Sequence, residues 1–463
     1  MNADASTIGA RLDRLPVAPF HRRIMWLIGI GMFFDGFDIY IAGNVLGMLL
    51  KSGFSTLAQT AQFVSLTFAG MVVGALATGF LSDRFGRKFS YRFNLALFGL
   101  ASILAAFAPS MAVLSLVRFV IGIGLGGETV VGYATLTEFA PPAVRGKWVG
   151  IMCMYVVTAL PVASLVSSFV IPSIGWRPMF VIAGIGALVV WYLRRTLPES
   201  PRWLVSVGRA DEAERTMASI EAEIARTRTV PPAPILRPGM AMAPASLRSP
   251  EMLPRLVLGA VTMIVTNTLL YGFVTWIPTF FVSEGLTIAR SFGFALFISF
   301  GAPLGAFIGA FTADSWGRKK TIVGASLATI ALGIAYPFVH DTVLLPIVGF
   351  CLVTPIYVLV AVLVGIYVSE LFPTEIRMRG SGISNTFGRA ATVVTPFAVV
   401  ALFEAHGVRG VLSLMIALLV VQIVVVSTLG VEPKRLSLEA LAAEQTQLTR
   451  TVRASASPNP RHG

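Results

Sequence analysis

The sequence predicts an all-α membrane protein of twelve transmembrane helices in two pseudo-symmetric six-helix bundles. Composition is the first of three observations behind this. The chain is 55% hydrophobic and 13% charged, with a mean hydropathy of +0.79, too apolar for a soluble globule. Second, apolar stretches as long as a bilayer crossing requires recur along most of its length. Third, one block is written twice: GMVVGALATGFLSDRFGRK at 70–88 and GAPLGAFIGAFTADSWGRK at 301–319. Gly70, Gly74, Ala75, Phe80, Asp83, Gly86, Arg87 and Lys88 recur as Gly301, Gly305, Ala306, Phe311, Asp314, Gly317, Arg318 and Lys319. A second echo repeats Glu138, Pro141 and Arg145 as Glu370, Pro373 and Arg377. Two related halves in a membrane suggest a machine that moves one against the other.

The spans are placed at 24–50, 60–82, 90–108, 111–136, 148–171 and 176–196, then 255–283, 291–313, 320–338, 343–370, 380–403 and 410–430. The domains follow: a cytoplasmic N-terminus 1–23, a bundle 24–196, a linker 197–254, a bundle 255–430 and a cytoplasmic tail 431–463, disordered at its end. The linker's front half is charged and helix-compatible, its back half rich in proline. With so little apolar content it cannot build a separate enzyme domain. Arg11, Arg14, Arg22 and Arg23 precede a first apolar stretch too long for a signal-peptide core, so that span is expected to stay as an anchor.

A net charge of +13 would suit a nucleic-acid binder, but its distribution excludes that reading. With both termini cytoplasmic, only Lys51, Arg177, Arg290 and Arg409 fall outside, while Arg118 and Arg389 lie within spans. That is the positive-inside bias of a multi-pass bacterial-type inner-membrane protein. Cys153 and Cys351 fall inside spans and read as small buried side chains. No metal-ligand spacing, His cluster or Ser/His/Asp arrangement is present, so neither an enzyme nor a cofactor or metal is expected. His21, His340 and His406 are boundary residues and His462 lies in the tail. The partners expected are a small-molecule substrate, protons and the lipid bilayer, with the chain acting as a monomer.

Asp83, Arg84, Arg87, Lys88, Glu138 and Arg145, with Asp314, Arg318, Lys319, Glu370 and Arg377, form a duplicated charged set at the cytoplasmic boundary. Its reading is a latch: charged pairs that hold the halves together in one conformation and break in the other. Gly70 and Gly74, four apart on one helix face, let a neighbouring helix approach closely.

These residues resemble the major facilitator superfamily. GFLSDRFGRK and its copy are similar to that superfamily's loop signature between helices 2 and 3. Arg118 followed by Gly122, Gly124, Gly126, Gly127 and Glu128 resembles its helix-4 motif. PESPRWL at 198–204 resembles the sugar-porter signature after helix 6, and DGFD at 35–38 that of aromatic-acid/proton symporters. The second-half loop departs from the pattern, with Ser315-Trp316 where the first has Arg84-Phe85, so the second latch lacks one Arg. The resemblance implies proton-coupled symport of a small polar metabolite, an organic or aromatic acid or a sugar-like acid, by alternating access. An exporter working by antiport, a sugar uniporter and a non-transporting sensor are the rivals.

The scaffold is duplicated; the charges within it are not. Asp35, Asp38, Arg118 and Glu128 have Thr266, Leu269, Gly349 and Leu359 at the corresponding positions. A lone charge at mid-bilayer costs roughly 2.5–3.5 kcal/mol, so these groups must pair or line a wet cavity. Asp35 and Asp38 share a helix face about 5–6 Å apart. The resemblance implies Asp38 as proton carrier with Arg118 as partner. Glu128 is either a second proton site or a structural pair. Arg389 is a bidentate anchor for a substrate carboxylate or a bridge within its bundle. Asn267, Tyr271, Trp276 and Pro278 read as a cavity wall with an outer gate, Trp276 also fitting an interfacial belt, and Tyr133 joins the candidate binding residues.

Overall fold

The structure, a computed structural model, describes residues 5–232, 252–339, 341–372 and 376–430. A short helix, α1 (Ala5–Asp13), precedes six crossings: α2 (Pro19–Lys51), α3 (Leu57–Phe85), α4 (Arg87–Ala105), α5 (Met111–Phe139), α6 (Pro142–Ile174) and α7 (Arg177–Leu193). Next come α8 (Pro201–Ser206) and α9 (Ala210–Ala225). The seventh crossing is α10 (Met252–Gly272) continued through a tight turn into α11 (Ile277–Ser283), and the eighth is α12 (Ile288–Ser299) with α13 (Gly301–Ser315). Then come α14 (Arg318–Ala335), α15 (Leu344–Val362) with the single turn α16 (Val368–Glu370), and α17 (Arg377–Leu429). Most of the proline-rich back half of the linker and the tail from 431 lie outside the described residues.

Ten described helical stretches are long and apolar enough to cross a bilayer. Ten become twelve for two reasons. The stretch Arg379–Leu429 is really two crossings, folded back at Gly407 where φ is 61°. And α4, 19 residues long with Arg87, Lys88 and Arg92 at one end, packs as a crossing against α5 and α7. The tenth span, expected to run on to 370, is regular only to Val362 and widens into a π turn at Leu363–Tyr367.

The repeat has a geometric cause. Gly86 and Gly317 join α3 to α4 and α13 to α14 with φ of 94° and 100°, a region that side chains avoid. Gly74 and Gly305 lie against the backbone of the neighbouring crossing, where an added Cβ would come within 2.0 Å of the Ile123 carbonyl and 2.1 Å of the Thr354 carbonyl. Small residues permit that approach, and close packing is what holds helices together in lipid.

Pro278 is not where the seventh crossing breaks. The backbone turns earlier, at Val274–Trp276, and Pro278 stands in the first turn of α11, where its missing N–H is not needed.

The bundles touch through polar groups at mid-depth and towards the face opposite α1 and α9. The Tyr357 hydroxyl donates to that of Tyr40 at 3.0 Å, Ser65 Oγ to the Val393 carbonyl at 2.7 Å, and Thr279 Oγ1 to the Gly43 carbonyl at 3.3 Å. Phe68 and Tyr271 pack with ring centroids 4.5 Å apart. Among the described residues no ion pair joins the two bundles. This conformation is closed at the far face; the opposite, basic face carries α1, α8, α9 and the two Gly-Arg-Lys turns.

Candidate functional site

The five ionisable groups of the first bundle's interior form two ion pairs and one remainder. Arg118, 1% exposed, donates from Nη1 to Asp38 Oδ2 at 2.5 Å and from Nε to the Thr67 hydroxyl at 3.2 Å. Its guanidinium lies over the Phe63 ring, 5.0 Å from the centroid. Glu128 pairs with Arg194, which also donates to the Leu27 and Ile28 carbonyls of α2. Asp35, the third carboxyl, is 3% exposed with neither oxygen hydrogen-bonded, and it stands in the field of Glu128, Arg194 and Asp38.

Arg194 was missed by sequence reasoning. It follows the last turn of α7, close to the charged loop, and counts there as one more cation of the basic face. The chain instead tightens into a 3-10 turn at Arg194–Thr196 and sends the side chain inward. Gly31 makes room, since a Cβ there would come within 1.9 Å of the guanidinium. Glu128 is thereby a paired group in this conformation.

Arg389, on the first limb of α17, differs from the other two arginines. It is half-buried and has no carboxylate partner among the described residues, so the intrabundle bridge weighed for it does not form. Its charge instead acts on two hydroxyls, Tyr133 from α5 and Tyr271 from α10. Tyr133 in turn contacts Cys153 Sγ at 3.4 Å. Asn267 lies one turn before Tyr271, its amide so close to Gly388 that a Cβ there would meet it at 2.3 Å. Arg389 thus stands within electrostatic reach of Tyr271 in its own bundle and of Tyr133 across the boundary, with the Asn267 amide close to the adjacent Gly388. All four side chains are half-buried, so they border space rather than solid packing. Unspent guanidinium donors beside two hydroxyls and an amide can hold a carboxylate.

Trp276 joins neither this group nor the lipid boundary. It is 1% exposed and stacked on Phe280, with Nε1 unpartnered, and so belongs to the closed far end. A narrow cleft lined by Tyr40, Asn44, Ser164, Thr275 and Pro278 lies there between the bundles.

In this conformation the charged set of the basic face pairs inside each bundle. Arg87 bonds Glu138 at 2.9 Å and Arg318 bonds Glu370 at 3.0 Å, each pair within its own bundle rather than across them. Asp83 reaches Arg87 only at 3.3 Å, because its side chain, 83% exposed, points off the end of α3. Arg84 lies over Phe85, Lys319 donates to the Ser427 carbonyl, and Arg145 pairs with Asp13 at 2.9 Å. The side chains of Asp314 and Arg377 lie outside the described residues.

Glu199 of the PESPRWL motif was not foreseen as a partner. Its carboxylate accepts the backbone N–H groups of Arg87 and Lys88 at 2.9 and 3.1 Å, capping α4, while Trp203 Nε1 donates to the Asp83 carbonyl. Burial pushes the Glu199 carboxyl above its ordinary value, against the pull of the N–H groups of Ser200, Lys88 and Arg87. On the same face Arg11 binds Glu221 and Glu214, and Arg14 also binds Glu221. Burial opposes ionisation of Glu221, but the hydrogen bonds from Arg11 and Arg14 outweigh it and hold the carboxyl below the usual glutamate range.

Two bundles, closed at one face around buried ionisable groups, define a membrane transporter of the major facilitator superfamily. Residues 25–444 match the family described as "Sugar (and other) transporter", and the chain belongs to it. It is 35% identical to the inner membrane metabolite transport protein YdjE of Escherichia coli (strain K12), over 94% of this chain and 98% of that one. It is 30% identical to the niacin transporter NiaP of Acinetobacter baylyi, over 93% and 99%. Among solved structures, the xylose transporter XylE from E. coli in a partially occluded inward-open conformation aligns with a TM-score of 0.69 and 17% identity, over 91% of this chain and all of that one. The relatives are transporters, not enzymes, and the protein is a multi-pass transporter of bacterial inner-membrane type.

Proposed function

We propose that the protein takes up a small organic acid together with protons by alternating access, with Arg389 as the anchor for the substrate carboxylate. The observation that carries this is Arg389 itself: a guanidinium without an acidic partner among the described residues, within electrostatic reach of Tyr271 in its own bundle and Tyr133 in the other. A charge left there unpaired is costly unless a ligand supplies its partner. One relative's name points to the same chemistry, since niacin is a monocarboxylate on a single ring. The buried acids of the first bundle supply the proton side, with Arg118 holding Asp38. Both termini face the cytoplasm in this reading, and the basic face is the release side.

Substrate at Arg389 and Tyr271 of one bundle and Tyr133 of the other draws the bundles together. It moves the equilibrium only as far as it binds one arrangement better than the other. The pairs Arg87–Glu138 and Arg318–Glu370 brace each bundle so that it moves as a body. In proteoliposomes, Arg389→Lys is expected to weaken nicotinate binding about tenfold, by replacing a two-pronged contact with a point charge, while leaving the neutral nicotinamide unchanged. Equal losses for the two compounds would make Arg389 a structural residue.

A further inference from the structure

We propose that the transporter moves one proton with one monocarboxylate and no net charge, and that Asp35 is the group that holds the proton. This rests on the preceding reading of Arg389. Well inside the bundles, the described residues include three carboxyls and three guanidiniums: Asp35, Asp38 and Glu128, against Arg118, Arg194 and Arg389. Two pairs are committed, Asp38 with Arg118 and Glu128 with Arg194. That leaves one surplus group of each sign, in different bundles. Among the described residues Asp35 has no hydrogen-bond partner on either oxygen, and Arg389 has no acid. The charged groups facing Asp35 are Asp38 on its own helix, Glu128 of α5 and Arg194 after α7. Both cations of the first bundle are spoken for, so Asp35 is the carboxyl free to take up and release a proton.

The interior sums to zero in only two loading states. With Asp35 ionised and Arg389 empty, three negative charges face three positive ones. With a proton on Asp35 and a monoanion on Arg389, both surplus charges are cancelled and the sum is again zero. A proton alone leaves one positive charge, and substrate alone leaves one negative charge. An uncompensated charge in a dry, low-dielectric core is disfavoured, here on the order of a hundredfold for either half-loaded form. Coupling then needs no contact between proton and substrate, because neutrality alone selects the empty and the fully loaded carrier for the crossing. The same count rejects dicarboxylates, which would leave an excess negative charge, and leaves a neutral solute uncoupled, since it adds no charge and calls for no proton.

Proteoliposomes of the full chain test this, with nicotinate and benzoate as probes. A pH gradient alone is expected to drive accumulation, a potassium–valinomycin potential alone to drive none, and one proton to enter per nicotinate. Accumulation driven by the potential, or a transport current on a supported membrane, would overturn the inference while leaving Arg389 as carboxylate anchor intact. Failure to move any monocarboxylate under either gradient would remove both readings. Asp35→Asn is expected to keep nicotinate counterflow, because its loaded form is neutral, and to lose net uptake, because its empty form is positive. It should also lose the infrared carbonyl band of a protonated buried carboxyl. Survival of that band in Asp35→Asn, and its loss in Asp38→Asn, would move the proton to Asp38.

Discussion

The two bundles share a frame and differ in their interiors. Both use a glycine at positive φ for the same turn, and both press a glycine against a neighbouring backbone, Gly74 on Ile123 and Gly305 on Thr354. Both brace that turn with an arginine on a glutamate. Inside, the first bundle holds two closed ion pairs and an orphan acid, while the second holds Arg389. The difference separates two demands. Rocking motion needs two matched bodies, so the packing and turn residues come in pairs. On the proposed cycle, chemistry needs one proton site and one anchor for the anion, so the charges do not.

Breaking that contrast is direct. Replacing Arg118 or Arg194 by Gln strands Asp38 or Glu128 as a buried, unpaired acid, which is expected to cost about 3–5 kcal/mol of stability. Arg389→Gln strands nothing and is expected to leave the melting temperature of the detergent-purified protein unchanged. Equal losses for all three would mean that Arg389 has a structural partner after all. Next in size, Gly74→Ala and Gly305→Ala push a Cβ into a backbone carbonyl in each bundle, at about 1–3 kcal/mol each. Similar losses are expected from the two, and a large difference in melting temperature would show that the frames are not equivalent. The smallest effect belongs to the first bundle's surface. Glu221 is held below the usual glutamate range by Arg11 and Arg14, so docking of α1 on α9 is strongest above that range. It should weaken as pH falls through the lowered value, read as faster amide exchange in α1 at acid pH. Exchange that does not depend on pH would remove Glu221 from the contact.

Much of the site was legible in the chain. Asp35, Asp38, Arg118 and Glu128 stood out because ionisable residues in long apolar runs need a reason, and Arg389 stood out likewise. Arg389 lies within electrostatic reach of Tyr133 and Tyr271, while Trp276, read with them, lies in the closed far end. What the residues alone did not give was the pairing: Arg118 as partner of Asp38 came from the resemblance, and Arg194 as partner of Glu128 was missed. Glu128 and Arg194 are 66 residues apart, and Asp38 and Arg118 are 80 apart. Arg194 gave no signal, since hydropathy treats an arginine just past an apolar run as a surface cation. Trp276 misled in the opposite direction, because a tryptophan near a span end resembles a belt residue wherever the helix later turns.

The sequence alone determined the helices, their number, the repeat and the two special turns, because each depends on side chains and dihedral preferances within a few residues of one another. The tertiary structure decided which charges cancel, which acid is left over, which end is closed and where the charged turns find partners. Those depend on which helices meet and at what rotation, and a shift of one residue around a helix would exchange a buried ion pair for a charge facing lipid.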